Sequence, residues 1–147
     1  MVTRPIYKEI NRKKDALGLF HEGYNCAQAI LAAYGDMFGL ERKNALKIGA
    51  PFGGGVANTG DTCGALSGAL MVIGLRYGSD KPAGWIKRAR VNRTSKTFIK
   101  RFITVCGSKN CDDLKCYYRT NNHENIKKRA YCARIVEKAV TILEDLL

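Results

Sequence analysis

The sequence predicts an all-α protein, a compact bundle of about five to six helices with a glycine-rich loop ahead of the central one. Three observations carry that expectation. Apolar residues recur at intervals of three and four, helix-capping residues head most of these stretches, and glycine and proline fall between them. No stretch alternates as a strand would. With 147 residues and 46% hydrophobic content, the chain is the size of one domain, residues 1–147, able to bury a core without disulfide staples.

The elements follow in order. Pro5 opens a first helix over 6–22, in which Ile6, Ile10, Leu17 and Phe20 recur at near-helical spacing and Gly23 is available as the stop. Asn25 caps a second helix running to about Phe38, and Gln28 three residues on makes a variant of the capping box. A short helical piece spans 41–48. The segment from Pro51 to Gly60 is too rich in glycine for regular structure and reads as a loop. Asp61 or Thr62 then caps a helix from Cys63 to about Arg76, apolar nearly all round and therefore central. Its Gly64, Ala65, Gly68 and Ala69 permit close helix approach and are the reason to expect a homodimer.

Pro82-Ala83-Gly84 punctuates the next connection, and a long helix follows from Trp85 to about Cys106. Advancing by about 100° per residue puts Val91, Phe98, Ile99, Phe102 and Val105 on one face and Arg90, Arg93, Lys96, Lys100 and Arg101 on the other. Gly107 stops it, Asn110 caps a short helix at 111–114, and a last helix runs over 124–146. The apolar stripe of that helix contains Ile135, Val136, Ala139, Val140, Leu143 and Leu146.

Charge and apolar length narrow the function classes. The first residues lead into a charged segment rather than an apolar secretory core. The longest nearly uncharged stretch, Cys63 to Leu75, is well short of the ~20 residues of a membrane span. No membrane insertion and a cytoplasmic location are expected. There, six cysteines point to thiol chemistry or metal ligation rather than to disulfides. The net charge of +12 suits an acidic partner or simply a soluble surface. From Lys81 through Cys111 the chain has nine Lys and Arg residues and no acid, so the alternative reading is a basic nucleic-acid-binding helical protein with structural cysteines. No helix-turn-helix signature or aromatic stacking platform accompanies those charges, and a solvated face is the expectation.

Cysteine placement is the sharper signal. Asn25-Cys26, Thr62-Cys63 and Asn110-Cys111 each set a thiol just after a capping residue, at a helix start where free amides and the dipole favour thiolate. Cys63, between a glycine-rich approach and Gly64, is expected to be the most thiolate-like, with burial and Asp61 as the opposing effects. Cys132 lies in the inward stripe of the last helix. Singly, a buried cysteine is usually a small hydrophobe. Three capped thiols and one inward thiol converge if the helices pack as a bundle, and that makes a redox or metal site. Gly54, Gly55, Gly60 and Gly64 then bring backbone close to it and to any cofactor.

Rival motifs are weaker. No C-x2-C pair is present, the spacing of Cys106, Cys111 and Cys116 fits no ferredoxin run, and the chain has no C-x-x-C-H haem motif. Gly55-x4-Gly60-Asp61-Thr62 has the frame of a phosphate loop, but Asp61 occupies the lysine position and repels phosphate. His21 and His123 fall near helix ends as surface or structural residues, His21 being the nearer to Cys26. Tyr24, Tyr34, Tyr117 and Tyr118 edge the site or fill the core.

The segment from Gly53 to Met71, with Cys63-Gly64-Ala65-Leu66-Ser67-Gly68 at its heart, resembles the signature of the C_GCAxxG_C_C family of redox-active proteins. That family is named for one cysteine, a CGAxxG block and two further cysteines. Asn25-Cys26-Ala27-Gln28-Ala29 resembles its first cysteine region, Cys111-Asp112-Asp113-Leu114 its third and Cys132-Ala133-Arg134-Ile135-Val136 its fourth. The resemblance implies that Cys26, Cys63, Cys111 and Cys132 are the family's four cysteines and that Cys106 and Cys116 are additional. A related domain occurs in split-Soret cytochromes c, which combine multihaem electron transfer with an iron–sulfur centre. An iron–sulfur cluster or another thiolate-bound metal, or thiol/disulfide chemistry by the same cysteines, is therefore implied for an oxidoreductase or electron-transfer protein with a redox partner.

Overall fold

A computed structural model describes residues 11–120 and 127–147, apart from the side chains of Cys116, Arg119 and Thr120. Ile6, Ile10 and His123 lie outside the described residues. Seven α-helices occur among those described: α1 (Arg12–Glu22), α2 (Cys26–Gly35), α3 (Arg42–Gly49), α4 (Gly64–Tyr77), α5 (Trp85–Cys106), α6 (Cys111–Thr120) and α7 (Lys128–Leu146). Two single 3-10 turns, Asp36–Phe38 and Ala50–Phe52, follow α2 and α3. The all-α expectation holds, with more helices than five to six because both short pieces are full helices, α6 extending well past Leu114.

Local chemistry fixes most boundaries. The Asn11 side chain accepts from the Lys14 amide at 3.0 Å and starts α1 there. Gly23, at φ +116°, ends it, its N–H donating to Leu19 and Phe20 carbonyls. The Asn25 side chain accepts from the Gln28 amide at 2.8 Å while Gln28 accepts from the Asn25 amide at 2.9 Å, the reciprocal capping box. The same pair reaches onward. Asn25 Nδ2 donates to the Ala50 carbonyl at 3.0 Å and Gln28 Nε2 to that of Leu46 at 2.9 Å, seating α3 and its 3-10 extension against the head of α2.

Two helices share the centre. Helix α2 buries every residue from Ala29 to Gly35, and α4 buries Gly64, Ala65, Leu66, Gly68, Ala69, Val72 and Ile73. A Cβ on Gly68 would sit 3.0 Å from the Ala27 carbonyl oxygen, so the small residues of α4 admit α2 of the same chain. The face that suggested a second copy is thus spent internally. Around this pair, α5 contributes the buried Phe98 and Phe102, and α7 contributes Ile135, Val136, Ala139, Val140, Ile142 and Leu143. Each such aromatic or aliphatic side chain is worth about 1.5–3 kcal/mol of burial.

Helix α5 departs from its expected face at one position: Val105, in its last turn, is 48% exposed, and Trp85 and Ile86 at its start are 78% and 67% exposed. Its basic side is solvated as expected, with Arg101 paired to Asp145 at 2.7 Å and Arg90 lying 4.6 Å over the Tyr77 ring. In α1, Leu19 rather than Leu17 is fully buried.

One glycine is a soft spot. Gly18 lies on the exposed side of α1 with nothing within 4 Å of the place a Cβ would occupy. Gly18→Ala is expected to stabilise the chain by about 0.5–1 kcal/mol, since alanine loses less backbone entropy in a helix. Urea denaturation of the two proteins checks it.

Candidate functional site

Four helix starts meet on one chamber. Cys26 is the first residue of α2, Cys111 the first of α6, and Cys132 lies in the second turn of α7. Cys63 stands one position earlier than its sequence suggests. It is itself the cap of α4, and neither Asp61 nor Thr62 caps that helix. The thiols of Cys26, Cys63, Cys111 and Cys132 all line a cavity of about 360 Å³. All four are free, as is Cys106.

The glycine loop is what draws α4 and α6 together. Five residues in a row, Gly54 to Asn58, have φ between +50° and +77°. This left-handed turn includes Val56 and Ala57, where side chains cost about 1–2 kcal/mol each in that conformation. The turn reverses the chain so that its outgoing arm pairs with the segment before α6. Thr62 and Asn110 form an antiparallel bridge, Cys63 N–H donates to the Lys109 carbonyl at 2.8 Å, and Cys111 N–H donates to that of Asp61 at 2.7 Å. Asp112 N–H adds a third bond, to the Gly60 carbonyl at 3.0 Å. Both cysteines are thereby held by their own backbone.

Of the glycines expected at the site, Gly54 and Gly64 line the chamber. Gly55 and Gly60 stand behind its wall instead, with Gly55 against the Cβ of Cys111 and Gly60 against the carboxylate of Asp112. Gly64 is required by its neighbours: a Cβ there would lie 2.8 Å from the Phe52 carbonyl oxygen and 3.3 Å from the Cβ of Cys26. His21 is exposed and packs edge-on to Phe20, away from the chamber lining. Tyr118 lines the chamber, whereas Tyr34 is buried elsewhere and donates to Glu144 at 2.6 Å. Cys106 is half-buried at the end of α5, outside the lining.

Sequence reasoning missed Lys115, Lys128, Arg129 and Tyr131, all of which line the chamber. Helical spacing carries the signal: Lys115 is four residues beyond Cys111, and Lys128 and Arg129 precede Cys132 by four and three, so each shares a face with a thiol. Tyr131 stacks at a tilt on Tyr118, with ring centroids 5.4 Å apart.

Electrostatics reverse the expectation for Cys63. Burial pushes its thiol up to about 12, although the amides of Ala65 and Leu66 bond the sulfur and oppose the shift, while Cys111 and Cys132 add to it. Desolvation exceeds the helix-start effect because the residue is only 5% exposed. Burial likewise raises Cys26 well above the thiol range, reinforced by Cys63, Cys132 and Cys111. Cys132 is raised by burial and by Cys111 against the lowering effects of Lys128, Arg129 and Lys115. Cys106 is raised by burial and lowered by Lys138.

The donor set is all sulfur, and among the described residues no carboxylate or histidine lines the chamber. Among the same residues no three Cys, His, Asp or Glu side chains stand close enough to hold a single metal ion. The four thiols face a space larger than one ion instead.

Residues 24–146 match a protein family described as "Putative redox-active protein (C_GCAxxG_C_C)". An uncharacterized protein of Archaeoglobus fulgidus is 25% identical over 141 residues, covering 88% of this chain and 89% of that protein. No solved structure matches the chain. With the four cysteines gathered and the match running from Tyr24 nearly to the end, the chain belongs to the C_GCAxxG_C_C family.

Proposed function

We propose that this protein is an electron-transfer protein in which Cys26, Cys63, Cys111 and Cys132 hold an iron–sulfur cluster. The observation that supports this reading most is the convergence of four cysteines on one chamber of about 360 Å³. Bound thiolates spaced around a multi-iron core need such a space, and cysteine is the usual ligand. When bound, the cluster supplies one-electron chemistry. The chain's own part is to present the sulfurs from backbone-locked helix starts and to keep the centre in a largely apolar surround, which sets its potential.

Thiol protonation disfavours three of the four cysteines as attacking groups in thiol/disulfide exchange. Exchange needs an attacking thiolate, and burial holds Cys26, Cys63 and Cys132 on the protonated side. Cys26, Cys63, Cys111 and Cys132 would hold iron as thiolates, each giving up its proton on binding.

The test is anaerobic reconstitution with ferrous iron and sulfide. The expected product carries iron and acid-labile sulfide and shows visible charge-transfer absorption that bleaches on reduction. Cys26→Ser, Cys63→Ser, Cys111→Ser and Cys132→Ser should each lose iron affinity by more than the ~10–100-fold expected for a residue that only bonds to a ligand, while Cys106→Ser keeps it. Iron content unchanged in Cys63→Ser and Cys111→Ser would end this reading.

A further inference from the structure

The lining of the four-thiol chamber carries three positive charges. Lys115, Lys128 and Arg129 belong to it, and no acidic side chain does among the described residues. Lys128 and Arg129 are exposed at the head of α7 and so stand on the solvent side of the chamber. Lys115 has a side chain only 20% exposed and reaches inward from α6. One acid approaches from behind the wall: Asp112 lies 3.9 Å from the Lys115 ammonium, a long pair with the carboxylate 71% exposed. Arg129 is fixed by the Tyr24 carbonyl at 3.1 Å, by the Phe20 carbonyl and by the Phe20 ring at 4.1 Å. Among the described residues these bonds all involve neutral groups.

The backbone adds the same sign. Helix α7 begins beside the chamber with no side-chain cap, so its positive end adds to the same field. The Asn25 and Asn58 residues that complete this part of the lining are neutral. Among the described residues the chamber therefore gathers cations with no acidic side chain in its lining.

We propose that this chamber binds a small anion, a molecule carrying a carboxylate or phosphate-like oxyanion, which Lys115, Lys128 and Arg129 hold beside Cys132. The inference rests on this chamber being the working site, and it makes the centre accessible to a small-molecule reactant as well as to a protein electron partner. It does not depend on iron being bound. The volume of about 360 Å³ lies at the lower end of the small-molecule range of roughly 300–1,000 Å³.

The test uses two alkylating probes that differ in charge and little else, iodoacetate and iodoacetamide, on the metal-free protein under reducing conditions. Both form the same carbon–sulfur bond, displace iodide and consume the same thiolate, so the fraction of thiolate cancels in their rate ratio at a given cysteine. Mass spectrometry reads that ratio at Cys132. Relative to the urea-unfolded chain, the folded chain should favour iodoacetate by about tenfold at low salt, as expected for a cleft lined by one charge. Lys115→Gln combined with Lys128→Gln should bring the ratio back toward the unfolded value, and Lys87→Gln on the distant part of α5 should not. Inorganic phosphate should slow iodoacetate at Cys132 more than chloride does at equal ionic strength.

A ratio equal to that of the unfolded chain, or one insensitive to the double variant, overturns the proposal. Equal effects of phosphate and chloride overturn it too, leaving only a diffuse field. Iron incorporation is read separately: a flat ratio in protein that loads iron sinks the anion site alone, and a raised ratio in protein that never loads iron sinks the cluster alone.

Discussion

Gly55→Ala is expected to cost about 3 kcal/mol or more and to lower the melting temperature by about 10 °C. The added Cβ would lie 2.5 Å from the Asp61 nitrogen, 2.6 Å from its oxygen and 2.7 Å from the Cβ of Cys111. The φ of +77° is the smaller part of the cost, because Val56 and Ala57 already carry side chains at +62° and +50° in the same turn. What excludes a methyl is backbone that cannot step aside. Asp61 N–H donates to the Gly55 carbonyl at 2.8 Å and Asp61 in turn accepts from Cys111, so the displacement passes directly to the third thiol. Thermal unfolding followed by circular dichroism gives the stability, and reconstitution gives the iron content, which should fall with it. Unchanged stability would mean that the turn does not pack as described.

Alkylation of Cys63 in folded, metal-free protein is expected to run about a thousandfold slower at neutral pH than in the unfolded chain. A rise from the ordinary 9.0 to about 12 removes that factor of thiolate. The rate should climb about tenfold per pH unit from 7 to 10 with no plateau, whereas an unperturbed thiol levels off near 9. The sign for stability follows from linkage. Above pH 9 the unfolded chain loses this proton while the folded chain keeps it until about 12. The folded state then binds more protons, so stability is full below pH 9 and falls through that window by about 1.4 kcal/mol per unit for this one group. A Cys63 rate that levels off below pH 9 would show that the Ala65 and Leu66 amides outweigh burial after all.

Local features were legible in the sequence. The Asn25 and Gln28 box, the stops at Gly23 and Gly107 and the boundaries of α5 each depend on a few neighbouring residues, and each stands where the pattern placed it. Features that depend on distant parts of the chain were less so. Cys63 becomes a helix cap because its amide is taken by Lys109, which no rule of short spacing contains. Helix α6 outlasts its first turn because Leu114 is buried and Tyr118 meets Tyr131 of α7. Val105 had the right periodicity for the core but lies at the end of α5, where no neighbour covers it fully. The grouping of the four cysteines was anticipated from three capped positions and the inward stripe that holds Cys132, whereas their electrostatic state was not, since desolvation is a property of the packed whole.

The strap between Thr62 and Asn110 also sets an order of events. Cys26 and Cys63 sit in the first half of the chain, Cys111 and Cys132 in the second, and the strap joins the halves directly at two of the four thiols. Pairings so remote in sequence close late in folding, after loop entropy has been overcome. A ribosome-bound chain lacking α7 has no complete chamber, so loading belongs to the finished protein. Whatever then binds there draws the equilibrium toward the fold in proportion to the logarithm of its concentration over its dissociation constant. A ligand of this chamber would therefore add to the stability of a chain that also folds without it.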